Sequence, residues 1–208
     1  MNSRGSQTAD SDRNASTRRK LLLSLTATIA LPLSWTAPAI AATSKAAAWA
    51  LGAKLSIAAL LYGLGAPQQT IDQELSQCRS IADDLGVQVK PFPARSATQT
   101  ENVVDMLHYL LEGDGWSIGA ALSGKYGHEH GVLFEIALKA NNLRVLYAPG
   151  DRTAMAIASV IKLRSEEIRL PPGLWTGVVD RVRNKAPHRD VIEALSKMNN
   201  DVLSYLSK

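Results

Sequence analysis

Cysteine and aromatic residues are scarce in this sequence of 208 residues. It has one cysteine, Cys78, so no disulfide can form within the chain. Aromatic residues make up only 5%, which argues against a surface on which nucleic acid bases stack. The sequence also lacks a nucleophile elbow, a phosphate-binding loop, a dinucleotide-binding glycine pattern and a zinc-protease helix. None of those reaction classes is therefore indicated.

Positive charge is in excess only at the amino-terminal end. The net charge of the chain is +4, but residues 1–41 hold five basic and two acidic residues, which leaves 18 basic and 17 acidic residues in 42–208. Nucleic acid binding needs a concentrated positive surface. A nearly neutral body therefore predicts that nucleic acid is not a partner.

The first 41 residues have the three-part pattern of an export signal. A polar stretch ends in Arg18, Arg19 and Lys20, an apolar run follows, and small residues come after it. We predict a signal peptide over 1–41 that is cleaved after Ala41. Ala39 and Ala41 are then the small residues that the peptidase reads.

The paired arginines and the long polar stretch before them resemble a twin-arginine leader. The resemblance is partial, because Leu21 stands where that pattern prefers phenylalanine and Lys20 adds a third charge. It implies the export machinery as a partner and an extracytoplasmic location in a bacterium, such as the periplasm. An ordinary secretory signal and an uncleaved membrane anchor are the alternatives, and the membrane is a partner only if the leader is retained.

Residues 42–208 show helical periodicity, with no strand alternation and no internal repeat. They predict an all-α, single-domain bundle of about seven helices joined mostly by short turns. We place a central helix near 127–147, a stretch without proline. Phe134 and Leu143 fall on opposite flanks of that helix, and two apolar flanks indicate a helix packed between neighbours.

An alanine-rich stretch at 45–63 approaches the length that spans a bilayer. We interpret it as a packed helix, because alanine and glycine contribute little transfer energy and Lys54 lies in its middle. In the next helix Cys78 falls on the apolar seam, so we expect a buried and inert thiol. Gly86 is predicted to end that helix, and Asp151 is predicted to cap a later one.

Asp105, His108 and Glu112 share one face of a predicted helix, at spacings of three and four. Converging imidazole and carboxylate groups are ligands that divalent metals bind, and His128 would supply a fourth. The alternative is a solvated face, because these residues lie opposite the apolar side of the helix. A divalent metal is the one cofactor that the sequence suggests, and the cofactor is otherwise unknown.

His128 and His130 resemble a second metal motif. If a helix has already begun at residue 128, the two imidazoles project about 160° apart, since two residues advance by about 200°. They would then be unable to share an ion. We expect both histidines to be solvated near the start of the central helix.

Glu135, Lys139 and Asn142 form a polar seam along the central helix. Glu135 and Lys139 have the i, i+4 order that stabilises a helix. If all three are buried, they would form a polar site between helices. A purely structural ion pair is the alternative.

These features predict an exported, soluble helical-bundle protein with a binding or interaction role, whose partner is an unknown protein or small ligand. We do not expect it to catalyse a reaction. One alternative is an exported metal- or cofactor-binding protein that uses its polar helix faces. Another is a membrane-tethered accessory subunit that keeps its leader.

Overall fold

The structure, a computed structural model, describes residues 43–92, 113 and 115–208. Within these ranges the chain forms seven α-helices and one 3-10 turn and no strand, which confirms the predicted all-α class. The helices are α1 (Ser44–Gly63), α2 (Gln68–Leu85), α3 (Gly115–Tyr126), α4 (His128–Leu146), α5 (Arg152–Glu167), α6 (Thr176–Arg183) and α7 (His188–Leu206), with the 3-10 turn (Pro172–Leu174) before α6.

The predicted leader lies outside the described residues. This applies to the recognition residues Arg18 and Arg19 and to the cleavage residues Ala39 and Ala41. The export signal therefore stays a prediction.

Helix α4 lies at the centre of the bundle, as its two apolar flanks predict. It packs against α1, α3, α5 and α7. Phe134 on one flank and Leu143 on the other are both buried, so neither side of the helix faces solvent along its middle. The expectation of an enclosed central helix is confirmed.

Helix α1 is buried almost throughout its length. Of the described helices, it is the one whose length and composition would suffice to cross a membrane. Yet 94% of its most apolar window is buried inside the bundle, where it packs against α2, α3, α4 and α7. The interpretation of this stretch as a packed core helix is confirmed.

Glycines allow α4 to approach its two closest neighbours. A Cβ atom added to Gly52 of α1 would collide with the carbonyl oxygen of Phe134 and would lie 3.1 Å from Cβ of Ala137. A Cβ atom added to Gly131 of α4 would lie 2.5 Å from the carbonyl oxygen of Gly119 in α3. Both distances are shorter than van der Waals contact, so the helix backbones touch at these points.

The predicted helix boundaries and the buried thiol are also confirmed. Gly86 ends α2 in the left-handed conformation, with φ of 60°. The Asp151 carboxylate caps α5 by accepting hydrogen bonds from two backbone N–H groups at 2.7 and 3.1 Å. Burial, with a contribution from the nearby Glu74, raises the pKa of Cys78 to about 12, so its thiol stays protonated.

The start of α1 is fixed by contacts with two other helices. The Thr43 hydroxyl caps α1 and donates a 2.7 Å hydrogen bond to the carbonyl oxygen of Leu206 in α7. The Ser44 hydroxyl is hydrogen-bonded to Nε2 of His130 in α4 at 2.9 Å. The first turn of α1 is thereby attached to both α4 and α7.

We predict that Gly52→Ala lowers the free energy of unfolding by about 1–3 kcal/mol, because the added methyl group must push α1 away from the backbone of α4. Gly124→Ala is the matched control. Gly124 lies within α3, and a Cβ atom added there meets nothing within 4 Å. The control should be neutral or stabilising by up to about 1 kcal/mol.

Urea unfolding followed by circular dichroism measures both variants. Equal stability of the two variants would contradict the close contact between α1 and α4.

Candidate functional site

A cleft of about 250 Å³ lies along α4, between α3 and α5. We refer to it as the α4 cleft. Among the residues that the structure describes, helices α3 and α4 supply all of its wall except for one side chain from α5. It is lined by Gly115, Trp116, Gly119, Ala120, Ser123, His128, Gly131, Val132, Phe134, Glu135, Leu138, Lys139 and Arg164.

Small residues of α3 leave the space for the cleft. Gly115, Gly119 and Ser123 recur every four residues, which places them on one face of the helix. Two large side chains also line the cleft: Phe134 of α4, which is 1% exposed and lies near Gly119, and Trp116 of α3, which is 71% exposed. The cleft thus combines a buried apolar wall with a solvent-exposed indole.

A chain of paired polar and charged side chains starts at the polar wall of the cleft and continues to Glu167 on α5, outside it. Glu135 accepts from Lys139 at 2.7 Å and from Arg164 at 3.1 Å. Arg164 also pairs with Glu167 at 2.8 Å, and Glu167 pairs with His128 at 2.6 Å. These side chains are partly exposed, and such pairs each contribute about 0–1 kcal/mol to stability. Their main effect is to hold α4 and α5 together and to fix where the charges lie.

The ion pairs shift the pKa values of two groups. The pKa of Glu167 is lowered, first by the hydrogen bond from Arg164 and then by the one from His128. The pKa of Arg164 is raised, chiefly by the same hydrogen bond with Glu167. Glu167 is therefore ionised at neutral pH, and it stabilises the charge on the guanidinium group.

The predicted polar seam is divided between two places in the structure. Glu135 and Lys139 form the expected i, i+4 pair and line the α4 cleft. Asn142 is buried on the side facing α1, where it accepts a 2.7 Å hydrogen bond from the hydroxyl of Ser56. Its Nδ2 atom has no hydrogen-bond partner among the described residues. The structure therefore brings two of the three seam residues to one site.

A buried amide network on α4 was missed by the sequence analysis. Nδ2 of Asn199 in α7 donates to Oδ1 of Asn141 at 3.0 Å, and Nε1 of Trp49 in α1 donates to Oδ1 of Asn199 at 3.2 Å. Two adjacent asparagines within an apolar helix were the available signal. Satisfied buried polar groups of this kind specify how helices align, so the network sets the register of α1, α4 and α7.

The two histidines diverge, as a helix start at residue 128 predicts. The side chain of His128 is 66% exposed and reaches Glu167 on α5. His130 is only 7% exposed, so the expectation that both histidines are solvated is wrong for His130. Ser44 from α1 and the stacked ring of Tyr126 cover its imidazole. Burial, followed by the charge of Lys45, lowers the pKa of His130.

The proposed metal face lies outside the described residues, because Asp105, His108 and Glu112 all fall there. Within the part of the chain that the structure describes, no three histidine, cysteine or acidic side chains converge as metal ligands. His128, the fourth suggested ligand, is hydrogen-bonded to Glu167. Metal binding by the full set stays a prediction.

Comparisons of the chain with protein-family models, curated proteins and solved structures gave no match. Functional inference therefore depends on the geometry of this chain.

We predict that Arg164→Gln raises the pKa of Glu167 toward its ordinary value, because Arg164 is the largest cause of the lowering. A lowered carboxyl pKa stabilises the fold above the pKa of the unfolded chain, and this contribution is lost as the pH falls through the lowered value. The variant should therefore lack this contribution near neutral pH, and its difference in stability from the wild type should shrink as the pH falls through the lowered value. Carboxyl-carbon NMR titration measures the pKa directly.

Lys162→Gln is the control for this titration. Lys162 lies on the same helix and pairs with Glu166 at 3.7 Å. Removing that charge should leave the pKa of Glu167 nearly unchanged. The same pKa in the wild type and in Arg164→Gln would show that the pair at 2.8 Å does not form in solution.

Proposed function

We propose that the chain is an exported, soluble helical-bundle protein with a binding role, that it does not catalyse a reaction, and that the α4 cleft is its binding site. Trp116 is the observation that carries this proposal, because its indole is 71% exposed at the cleft. Tryptophan beside a concave surface is typical of binding sites, where it supplies a large rigid contact area and an N–H donor.

The composition of the cleft wall also supports a binding role. Ligand sites are concave and mostly apolar, with a few polar groups that orient the ligand. Here Phe134, Val132 and Leu138 supply the apolar surface, and Glu135 and Lys139 supply the polar groups. The volume of about 250 Å³ exceeds the roughly 150 Å³ of an apolar cavity that holds benzene. It suits a small ligand or one anchoring side chain of a protein partner.

Export is supported by the residues of the leader. The basic pair Arg18 and Arg19, the apolar run and the small residues at Ala39 and Ala41 have the order that an export signal requires. If the twin-arginine route is used, the bundle folds before export. The periplasm or an equivalent compartment is the location that we propose.

The two alternatives from the sequence depend on residues outside the described part of the chain. A metal site needs Asp105, His108 and Glu112, and a membrane tether needs an uncleaved leader. Metal analysis of the purified protein tests the first alternative. N-terminal sequencing of the exported protein tests the second.

We predict that small ligands found by an NMR fragment screen shift the signals of the α4 cleft, and that Trp116→Ala weakens their binding by about tenfold, since buried aromatic anchors often contribute more than 1 kcal/mol. Tyr205→Ala is the matched control, because Tyr205 is an exposed aromatic residue on α7 that does not line the cleft. Shifts confined to another surface would contradict the assignment of the cleft.

We also predict that replacing Arg18 and Arg19 together by lysine blocks export, if the leader is read as a twin-arginine signal. An ordinary secretory signal requires only positive charge at this end, so the same substitution would leave export intact. Cell fractionation and N-terminal sequencing measure the outcome. Normal export of the double-lysine variant would exclude the twin-arginine route and leave general secretion.

A further inference from the structure

We infer that the α4 cleft binds a small carboxylate with an apolar body, such as an aromatic acid, and that Lys139 and Arg164 receive its carboxylate group. This inference rests on the proposed function, because it names the ligand class for the same cleft. It depends on the hydrogen-bonding groups of the cleft wall, on its apolar surface and on its size.

Among the charged residues that line the α4 cleft, Lys139 and Arg164 are cations and Glu135 is the one carboxylate, so hydrogen-bond donors outnumber acceptors there. Each carboxylate oxygen of Glu135 already accepts from one cation, Oε1 from Lys139 and Oε2 from Arg164. An ammonium group has three donors and a guanidinium group has five, whereas a carboxylate has about four acceptor sites. Arg164 pairs with Glu135 through Nε and with Glu167 through Nη1, and Nη2 has no partner among the described residues. A ligand that supplies an acceptor therefore fits this wall.

A carboxylate is the acceptor that these two cations would bind most strongly, because a hydrogen bond between ionised partners is roughly twice as strong as a neutral one. The side chains of Lys139 and Arg164 are 27% and 36% exposed, so each remains partly accessible from solvent. An amine ligand would instead need Glu135, and it would compete with both cations for that carboxylate. Glu167 pairs with Arg164 but does not line the cleft.

The apolar side of the cleft indicates that the part of the ligand other than its carboxylate group is apolar. Phe134 and Leu138, which are 1% and 3% exposed, form the apolar floor of the cleft, and the exposed indole of Trp116 offers a face on which a flat group can stack. The cleft volume of about 250 Å³ is larger than the roughly 150 Å³ that accommodates one benzene ring. An aromatic ring with a short substituent that ends in a carboxylate group therefore fits in the cleft.

Phenylacetate is the probe for this inference, with phenylacetamide as a neutral ligand of nearly the same shape and phenethylamine as a cation. Each is titrated into the isotope-labelled full chain and followed by NMR. We expect phenylacetate to shift signals from α3 and α4 and to bind at least about tenfold more tightly than phenylacetamide, which corresponds to about 1.4 kcal/mol.

The preference for phenylacetate over phenylacetamide should depend on Lys139 and Arg164. Lys139→Gln and Arg164→Gln should each reduce the preference for phenylacetate by several-fold, and Lys139→Arg should keep it. Lys197→Gln is the matched control, because Lys197 forms an i, i+4 pair with Asp201 on α7, away from the cleft. Circular dichroism checks that each variant keeps its helical fold.

The possible results separate this inference from the proposed function. Equal binding of phenylacetate and phenylacetamide, or tighter binding of phenethylamine, would overturn the carboxylate inference and leave the cleft as a binding site. No shift by phenylacetate up to about 10 mM, a concentration that detects millimolar affinity, would also overturn it. The proposed function would then stand or fall with the fragment screen.

Discussion

Close contact between the backbones of α1 and α4 is the constraint on which the rest of the bundle depends. Gly52 has no side chain where α1 crosses the carbonyl group of Phe134, so α1 can cover one side of α4 completely. Gly131 and Gly119 allow a similar approach by α3. On another side α5 packs against α4 and also reaches it through the ion pair between Arg164 and Glu135. The α4 cleft is the space that remains between α3 and α5.

Polar groups on α4 have different roles according to how deeply they lie. Asn141 and Asn142 are fully covered, and burying an amide is unfavourable unless it finds partners. Asn199 supplies a partner for Asn141, and Ser56 supplies one for the side-chain oxygen of Asn142, which ties α1, α4 and α7 to one alignment. Lys139, on the cleft side, keeps contact with water and so can exchange a solvent contact for a ligand contact. The buried amides thus maintain the architecture, and the exposed ion pairs are available for binding.

Sequence patterns predicted the parts of the fold that depend on neighbouring residues along the chain. Two apolar flanks identified α4, and the conformational preferences of Gly86 and Asp151 identified two helix boundaries. The patterns could not show that Arg164 would reach Glu135, because that pair joins two helices whose relative position is set by tertiary packing. The burial of His130 was missed for the same reason, since Ser44 lies 86 positions away along the chain.

The contact between Thr43 and Leu206 means that the beginning of α1 and the end of α7 are neighbours in space. A linker of a few residues could join them without crossing the bundle, while the exposed turn at 148–150 offers a place to open the chain. We expect a chain that is circularly permuted in this way to keep the helix contacts described here, because none of them depends on the connection at 148–150.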